Sequence, residues 1–311
     1  MNKFKFYFIL SITTVLLFSC SKDSDSVEVI PLRDYQEQYD AEKILIEEYL
    51  NTNYINITEA PGDQTDQDVE ITKVDNGKGT IMSYLNKTTF PKLLQREVQV
   101  HGITYSMYYL MLREGTKDSP SNVDNVLVSY SGSYLKEATE GDLTTLSTTF
   151  FEQLKFPQSM FSLYSGVIRG WSEIIPKFKT GTAGEGENGA VSYSGFGAGV
   201  MFIPSGLGYY SQGSTSVPSY APLVFSFKLY ALQRLDHDGD GVLSYLEDLN
   251  NDGYVYDYRN TSIYLVVPDN FDDTDKDGIP NFLDIDDDGD GFTTAVEVAA
   301  GTNYLDASSH P

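Results

Sequence analysis

The sequence predicts an α+β protein in three parts: an N-terminal helical extension, a central domain rich in strands and a C-terminal series of acidic loops. The helix is predicted because apolar residues recur near helical spacing between Asp34 and Asn51, with charged residues among them. The strands are predicted because residues 104–112 are rich in aromatic side chains, which is typical of a strand buried on both faces. The loops are predicted because Asp residues stand at alternate positions in short Gly-containing stretches after residue 235.

The acidity of the chain is concentrated in its last quarter. The whole sequence has 311 residues and a formal net charge of −24. Residues 236–311 contain 19 acidic residues and two basic ones, a difference of −17. This local charge indicates a separate C-terminal module. It also argues against a nucleic-acid partner, because phosphate binding requires clustered Lys and Arg side chains.

Residues 1–19 are predicted to be an export signal. Lys3 and Lys5 give it a positive start, and the apolar run at 6–18 is too short to cross a bilayer stably. Cys20 is the only Cys and directly follows Leu-Phe-Ser, a sequence that resembles a bacterial lipobox. The resemblance implies a lipid anchor on Cys20, since two or more acyl chains attach a protein durably to a membrane. The alternative is an ordinary secretory signal with a chance Cys.

Residues 20–33 are predicted to be a flexible tether, because the run from Ser21 to Ser26 is polar. This run also resembles the acidic export signal of Bacteroidetes lipoproteins that are displayed on the outer face of the outer membrane. The predicted location is therefore the outer membrane, with the protein held as a lipoprotein at the periplasmic face or at the cell surface.

Residues 34–100 are predicted to comprise the helical extension and a linker. The helix is expected to pack on the next domain. The alternatives are that it forms a homodimer or cradles a substrate. Residues 53–79 are polar, with many Asp residues, and are predicted to be linker with some local strand.

Residues 236–311 are predicted to be a calcium-binding repeat region. Two stretches match the ligand positions of the twelve-residue EF-hand loop, namely Asp236, Asp238, Asp240, Val242, Ser244 and Glu247, then Asp286, Asp288, Asp290, Phe292, Thr294 and Glu297. The spacing suits Ca²⁺, which takes six to eight oxygen ligands, because alternate Asp residues on a tight loop converge and the final Glu binds through both oxygens. The expected role is structural. The alternative is a solvated acidic tail without metal.

An imperfect loop lies between these two. Its ligand positions are Asp273, Asp275, Asp277, Ile279, Asn281 and Asp284, with Asp in place of the final Glu. It resembles thrombospondin type 3 repeats, in which successive loops share carboxylates. A further loop that starts at Asp248 is not predicted to bind, because Arg259 occupies its closing position.

Five short runs occur in order within residues 101–235. They are VLVSYSG at 126–132, FSL at 161–163, GVIRGW at 166–171, IPSGLGY at 203–209 and LVFSFKL at 223–229. Their order and spacing resemble the FKBP family of peptidyl-prolyl cis–trans isomerases. The resemblance implies an isomerase domain over 101–235, with an antiparallel sheet wrapped on one helix, and proline-containing polypeptides as substrates.

The same resemblance implies which residues form the isomerase site. Nine match the pocket of the family: Tyr130, Phe151, Glu152, Phe161, Val167, Ile168, Trp171, Tyr209 and Phe225. Trp171 would form the floor and the hydroxyl of Tyr209 would meet the ligand. The backbone N–H of Ile168 would donate a hydrogen bond to a substrate carbonyl.

Two of the departures from the family pattern leave alternatives open. Phe151 and Glu152 stand where the family has Phe-Asp, and a one-residue shift to Phe150 is the alternative alignment. Residues 179–199 are an insertion, which is interpreted as a long hairpin, with a substrate-binding flap as the alternative.

Prolyl isomerisation needs neither a nucleophile nor a cofactor. Its barrier of about 18–20 kcal/mol comes from amide resonance. A water-poor aromatic pocket disfavours the charge-separated planar amide and binds the twisted amide better. We therefore predict an envelope isomerase that assists the folding of exported proteins. The alternatives are an FKBP-like fold without activity and a non-catalytic, calcium-stabilised surface binding or adhesion lipoprotein.

Overall fold

The computed structural model describes residues 31–311 except 76, 141–142, 187–190 and 269–270. The predicted export signal, Cys20 and the tether up to residue 30 lie outside the described residues. In the part of the chain that is described, no helix is long and apolar enough to cross a membrane.

The described residues form strands and helices in the following order. The strands are β1 (Asn53–Ile57), β2 (Val69–Lys73), β3 (Lys92–Val100), β4 (Ile103–Arg113), β5 (Asn125–Glu140), β6 (Leu143–Leu154), β7 (Phe161–Ser162), β8 (Thr182–Glu185), β9 (Val191–Ser194), β10 (Gly197–Ile203) and β11 (Leu223–Gln233). The α-helices are α1 (Tyr35–Thr52), α2 (Arg169–Ile174) and α3 (Thr294–Ala300). Short 3-10 helices lie at Ile81–Tyr84, Ile175–Lys177, Ser205–Leu207, Ser244–Leu246 and Asn281–Leu283.

The main sheet has the strand order β3-β4-β10-β11-β5-β6, and β7 pairs with β5. Every pair of neighbours is antiparallel. The predicted combination of an antiparallel sheet with few helices is confirmed.

The sheet is covered on both faces, and β4 shows this most clearly. Tyr105, Met107, Tyr109 and Met111 belong to a core that includes Trp171 and Ile174 of α2. Tyr108, Leu110 and Leu112 belong to a second core that includes residues of α1. The expectation that residues 104–112 form a strand buried on both faces is confirmed for residues 107–112, which are all buried and alternate between the two cores.

Helix α1 begins after Asp34, whose carboxylate accepts the backbone N–H of Gln36 and Glu37. Within the helix, Glu42 is buried and accepts the backbone N–H of Ser205 at 2.7 Å, which fixes α1 to the turn after β10. The helix therefore packs on the neighbouring sheet, as the first interpretation expects. A role in forming a homodimer stays a prediction.

Strand β3 differs from the sequence interpretation, which assigned residues up to 100 to the extension and linker. It is an edge strand of the main sheet and pairs with β4 along its whole length. Along β3 the exposed polar residues Gln95, Glu97 and Gln99 alternate with core positions, but Arg96 occupies one of those core positions and weakens the apolar pattern.

The insertion at 179–199 contains a two-stranded hairpin, β8 with β9, followed by the start of β10. Tyr193 of β9 stacks on Tyr230 of β11, with ring centroids 4.8 Å apart. Both tyrosines pack against the α1-side core, away from Trp171. The hairpin interpretation fits this arrangement better than a flap over the α2 face.

The C-terminal region packs against the sheet domain, although its local charge suggested a separate module. Arg33–Pro311 forms one compact unit. Val255 and Phe282 form a small core with Val123. Asn122 holds the backbone of Val255 through two hydrogen bonds, of 2.9 and 2.7 Å. The sequence shows only the charge of this region, whereas its scattered apolar and Tyr residues dock it onto the sheet domain.

Candidate functional site

One cavity of about 350 Å³ opens beside α2. Its lining residues come from β5, β6, β7, β11, α2 and the loops before α2 and after β10, namely Tyr130, Glu152, Phe161, Ser165, Gly166, Val167, Ile168, Trp171, Tyr209 and Phe225. Eight of the nine residues predicted for the pocket are in this lining, and the ninth, Phe151, packs against the lining residue Phe225. The two lining residues outside the predicted nine are Gly166, which begins the GVIRGW run, and Ser165, which directly precedes it.

The bottom of the cavity is a set of aromatic rings in edge-to-face contact. The ring of Trp171 lies 5.2 Å from Tyr130 and 5.3 Å from Phe225, both at interplanar angles of 78°. Trp171 itself is only 4 % exposed. Edge-to-face packing restrains each ring, so the cavity presents a rigid apolar floor.

Helix α2 can reach this position because Gly170 carries no side chain. A Cβ at Gly170 would lie 2.6 Å from the Ile203 side chain of β10. At the start of the helix, Ile168 is the N-cap residue, so its backbone N–H lies outside the helical hydrogen bonds. The Gly-Val-Ile-Arg-Gly-Trp run thus combines close packing with a backbone donor at the cavity edge.

A β-bulge brings both Phe151 and Glu152 toward the site. In the pairing of β5 with β6, Gly132 faces Glu152 and Ser133 faces Phe150, so Phe151 is the extra residue. Phe151 packs edge-on against Phe225 at 5.6 Å, whereas Phe150 is 61 % exposed. This geometry favours the Phe151–Glu152 alignment over the shifted one.

Glu152 sets the electrostatics of the cavity. Burial, and then the charge and hydrogen bond of Glu152, raise the pKa of Tyr130 to about 12. Burial raises the pKa of Tyr209 as well, with the charge of Glu152 adding to it. Both phenols therefore stay protonated at neutral pH and remain hydrogen-bond donors. The cavity offers an apolar floor with hydroxyl donors at its wall, which suits an uncharged amide ligand.

The outer side of α2 carries an ion-pair network that the sequence analysis missed. Glu173 is 1 % exposed and binds Arg169 at 2.7 Å and Arg96 of β3 at 3.2 Å. Tyr256 donates to the same carboxylate at 3.0 Å, and the hydroxyl of Tyr254 donates to the backbone oxygen of Glu173 at 2.6 Å. Two tyrosines of the C-terminal region thus hold the helix that carries Trp171.

The acidic loops share one turn geometry. In each, the first Asp accepts the N–H of the Gly at the sixth position, in the pairs Asp236–Gly241, Asp248–Gly253, Asp273–Gly278 and Asp286–Gly291. These glycines have φ between 88° and 97°, a left-handed conformation that favours Gly. The loop at Asp248, which was not predicted to bind, has the same turn.

Three carboxylate clusters match the predicted loops. They are Asp236 with Asp238 and Asp240, Asp273 with Asp275 and Asp277, and Asp286 with Asp288 and Asp290, each with oxygens within 4.8 Å of one another. The closing Glu247 and Glu297 are 1 % and 0 % exposed. Both oxygens of Glu247 and one of Glu297 have no hydrogen-bond partner among the described residues. Buried carboxylate oxygens without donors fit a hard cation such as Ca²⁺.

The other predicted ligand positions are placed differently. The side chains of Ser244, Asn281 and Thr294 accept the backbone N–H of the residue at the second loop position. Each of these side-chain oxygens therefore already has a hydrogen-bond donor, whereas both oxygens of Glu247 have none among the described residues. Backbone N–H groups of Val242, Ile279 and Phe292 each bond the fifth-position Asp at 2.7 Å. Asp284, the predicted closing ligand of the imperfect loop, lies outside the cluster of Asp273, Asp275 and Asp277 and accepts the N–H of Asp286 at 3.0 Å.

Comparison with known proteins supports two separate similarities. A protein-family model described as BamM C-terminal matches residues 237–309. FkpA of Aeromonas hydrophila, an FKBP-type peptidyl-prolyl cis–trans isomerase, is 25 % identical over 173 residues, which are 56 % of this chain and 55 % of the relative. The chain therefore spans about half the length of that curated relative. The similarity to FKBP-type isomerases that the sequence motifs indicate is confirmed over this span.

Solved structures give weaker matches. A peptidyl-prolyl cis–trans isomerase from Pseudomonas syringae pv. tomato is 26 % identical, with a TM-score of 0.30, over 41 % of this chain and 76 % of that one. FkpA from Escherichia coli is 24 % identical, with a TM-score of 0.28, over 41 % of this chain and 48 % of that one.

The assignment of the acidic loops as calcium sites stays a prediction.

Proposed function

We propose that this protein is a peptidyl-prolyl cis–trans isomerase of the cell envelope that acts on proline-containing segments of exported polypeptides. The observation that carries the proposal is the cavity floor, where Trp171, Tyr130 and Phe225 meet edge to face beneath the hydroxyl-bearing wall. The 25 % identity to FkpA over 173 residues supports the same reaction.

The reaction follows from what the cavity offers. A pyrrolidine ring would pack on the rigid aromatic floor and displace water from the prolyl amide. Removal of water disfavours the charge-separated planar amide, and the twisted amide is stabilised relative to it. The backbone N–H of Ile168 and the hydroxyl of Tyr209 would hold carbonyl groups of the peptide, which fixes its orientation. No covalent step and no cofactor enters this mechanism.

Purified protein is expected to accelerate cis-to-trans conversion of a peptide with an apolar residue before Pro. Tyr209→Phe is expected to lower kcat/KM. The loss should correspond to about 0.5–1.5 kcal/mol of transition-state stabilisation, the free energy typical of one hydrogen bond. Trp171→Leu is expected to retain the fold and change turnover. Rates measured by a coupled or NMR exchange assay test both changes.

Tyr193→Phe is the matched control, because this tyrosine stacks on Tyr230 in the opposite core. Its kcat/KM is expected to equal that of the wild type. A folded wild-type protein that binds proline peptides but leaves their exchange at the uncatalysed rate would replace the enzyme with the binding-protein alternative. Equal losses in Tyr209→Phe and Tyr193→Phe would remove Tyr209 from the site.

We also propose that the protein is a lipoprotein of the outer membrane. The lipobox-like sequence before Cys20 supports a lipid anchor. The matches to the BamM C-terminal family and to FkpA support association with the envelope.

Cys20→Ala is expected to release the protein from membranes, because it removes the only thiol that can be acylated. Membrane fractionation and intact-mass measurement test this, and the wild type should carry the mass of its acyl chains. Equal membrane retention and equal processing of both proteins would show that Cys20 is not an anchor.

We propose further that the acidic loops hold Ca²⁺ as a structural ion. Support comes from the three carboxylate clusters and from the buried Glu oxygens that lack donors. The ion would neutralise charges that otherwise repel, and would add oxygen coordination that holds each loop closed.

A further inference from the structure

A fourth carboxylate cluster joins two loops that are far apart in the sequence. Asp240 and Glu247 belong to the first loop, and Asp287 lies at the second position of the last loop. Oxygens of the three side chains lie within 4.8 Å of one another. Asp287 is not at a ligand position of the twelve-residue loop pattern, so loop spacing does not select it.

The side chain of Asp287 is aimed into a site that has no hydrogen-bond donor for it. It is 1 % exposed, and neither of its carboxylate oxygens has a hydrogen-bond partner among the described residues. The same is true of both oxygens of Glu247 and of one oxygen of Asp240. No salt bridge found in the described part of the chain involves these three residues. Three buried carboxylates in mutual contact are strongly unfavourable without a cation.

We propose that Asp287 is a ligand of the calcium ion held by the first loop, so that one ion ties residues 236–247 to residues 286–297. The proposal rests on calcium binding by the acidic loops and adds a ligand and a connection to it. An all-oxygen set from two segments suits Ca²⁺, which accepts more ligands and a more flexible geometry than Mg²⁺.

The connection closes the segment between the two loops. Residues 248–285 contain Tyr254 and Tyr256, which hold Glu173 on the outer side of α2. An ion bound by Asp240, Glu247 and Asp287 would join the two ends of this segment. The segment that carries the two tyrosines would then have less conformational freedom.

Calcium titration of the full chain, with CaCl₂ as the probe, tests the proposal. Asp287→Asn is expected to weaken one calcium site by roughly tenfold or more and to leave the others unchanged, because affinity follows the number of charged ligands. Glu247→Gln is expected to weaken the same site, and the double variant should lose less than the sum of the two effects. Asp306→Asn, an exposed Asp of the same region, is the matched control and is expected to bind like the wild type.

A second measurement separates a ligand from a merely structural residue. In excess chelator Asp287→Asn is expected to melt at a higher temperature than the wild type, because a neutral amide avoids the free-energy cost of burying a carboxyl group that is ionised in the unfolded chain. In saturating calcium it is expected to melt at a lower temperature. A residue that only packs would shift both melting temperatures in the same direction, and that result would overturn the proposal.

Two further outcomes would also overturn it. Unchanged calcium affinity in Asp287→Asn would remove Asp287 from any site. Full additivity with Glu247→Gln, together with strong coupling to Glu297→Gln, would assign Asp287 to its own loop. A wild-type chain that binds no calcium at millimolar concentration would instead defeat the calcium proposal itself, and the two failures are distinguishable by the wild-type titration.

Discussion

Replacing Glu173 by Ala is expected to lower the free energy of unfolding by about 3–5 kcal/mol, because it leaves two arginines partly buried without their shared partner. Glu173 is 1 % exposed and binds both Arg96 and Arg169. It also accepts a hydrogen bond from Tyr256. Urea unfolding, followed through the fluorescence of Trp171, measures the loss. Trp171 is the only Trp and lies in the same helix, so the signal reports the pocket directly.

Glu114→Ala is the matched control for this change. Glu114 pairs with Lys179 at 2.6 Å, but both side chains are more than 40 % exposed. An exposed pair contributes about 0–1 kcal/mol, so the control should unfold close to the wild type. Similar losses in the two variants would show that the Glu173 network does not hold α2. Glu173→Gln keeps the shape and is expected to fall between the two.

On the proposed calcium binding, removal of the ion is expected to reverse the pH dependence of stability in the C-terminal region. In the metal-free protein, burial and neighbouring carboxylates raise the pKa of Glu247 to about 9 and the pKa of Asp287 to about 8. Below about pH 4 both groups are protonated in the folded and unfolded chain alike. Between about pH 5 and pH 8 the unfolded chain has released these protons and the folded chain retains them. The metal-free fold therefore loses stability as pH rises, on the order of several kcal/mol.

The calcium-loaded protein is expected to behave in the opposite way. Its ligands are ionised and paired with the ion, so acid displaces calcium and destabilises the region. Limited proteolysis from pH 5 to pH 9, with chelator or with calcium, measures both slopes when cleavage sites are located by mass. We expect cleavage within 236–311 to increase with pH in chelator and to decrease with pH in calcium. The same slope in both conditions would contradict metal binding at these carboxylates.

The pocket residues could be named from the sequence because they lie in short runs that resemble those of the FKBP family. Gly170 and Trp171, for example, stand in one such run, and the resemblance rather than any local rule singles them out. Phe151 and Glu152 were harder to place, because a single extra residue in β6 decides whether Phe150 or Phe151 packs against Phe225. Nothing in the local sequence distinguishes a bulge from regular pairing at this point.

The docking of the C-terminal region could not be predicted in the same way. The residues that attach it are ordinary tyrosines and apolar side chains among many acidic ones, such as Tyr254 and Val255. Their partners Glu173 and Asn122 are 81 and 133 positions away in the sequence. The contact of Asp287 with Glu247 is nonlocal too, so loop spacing alone assigns Asp287 no role.

The bracing of α2 by Tyr254 and Tyr256 has a consequence for the order in which the protein matures. Synthesis proceeds from the N-terminus, so the helix with Trp171 emerges well before the tyrosines that secure its outer side. During that interval α2 lacks the hydrogen bonds that Tyr254 and Tyr256 donate to Glu173. On the proposed isomerase function, full activity would therefore require that the C-terminal region has already been made and has docked on the sheet domain.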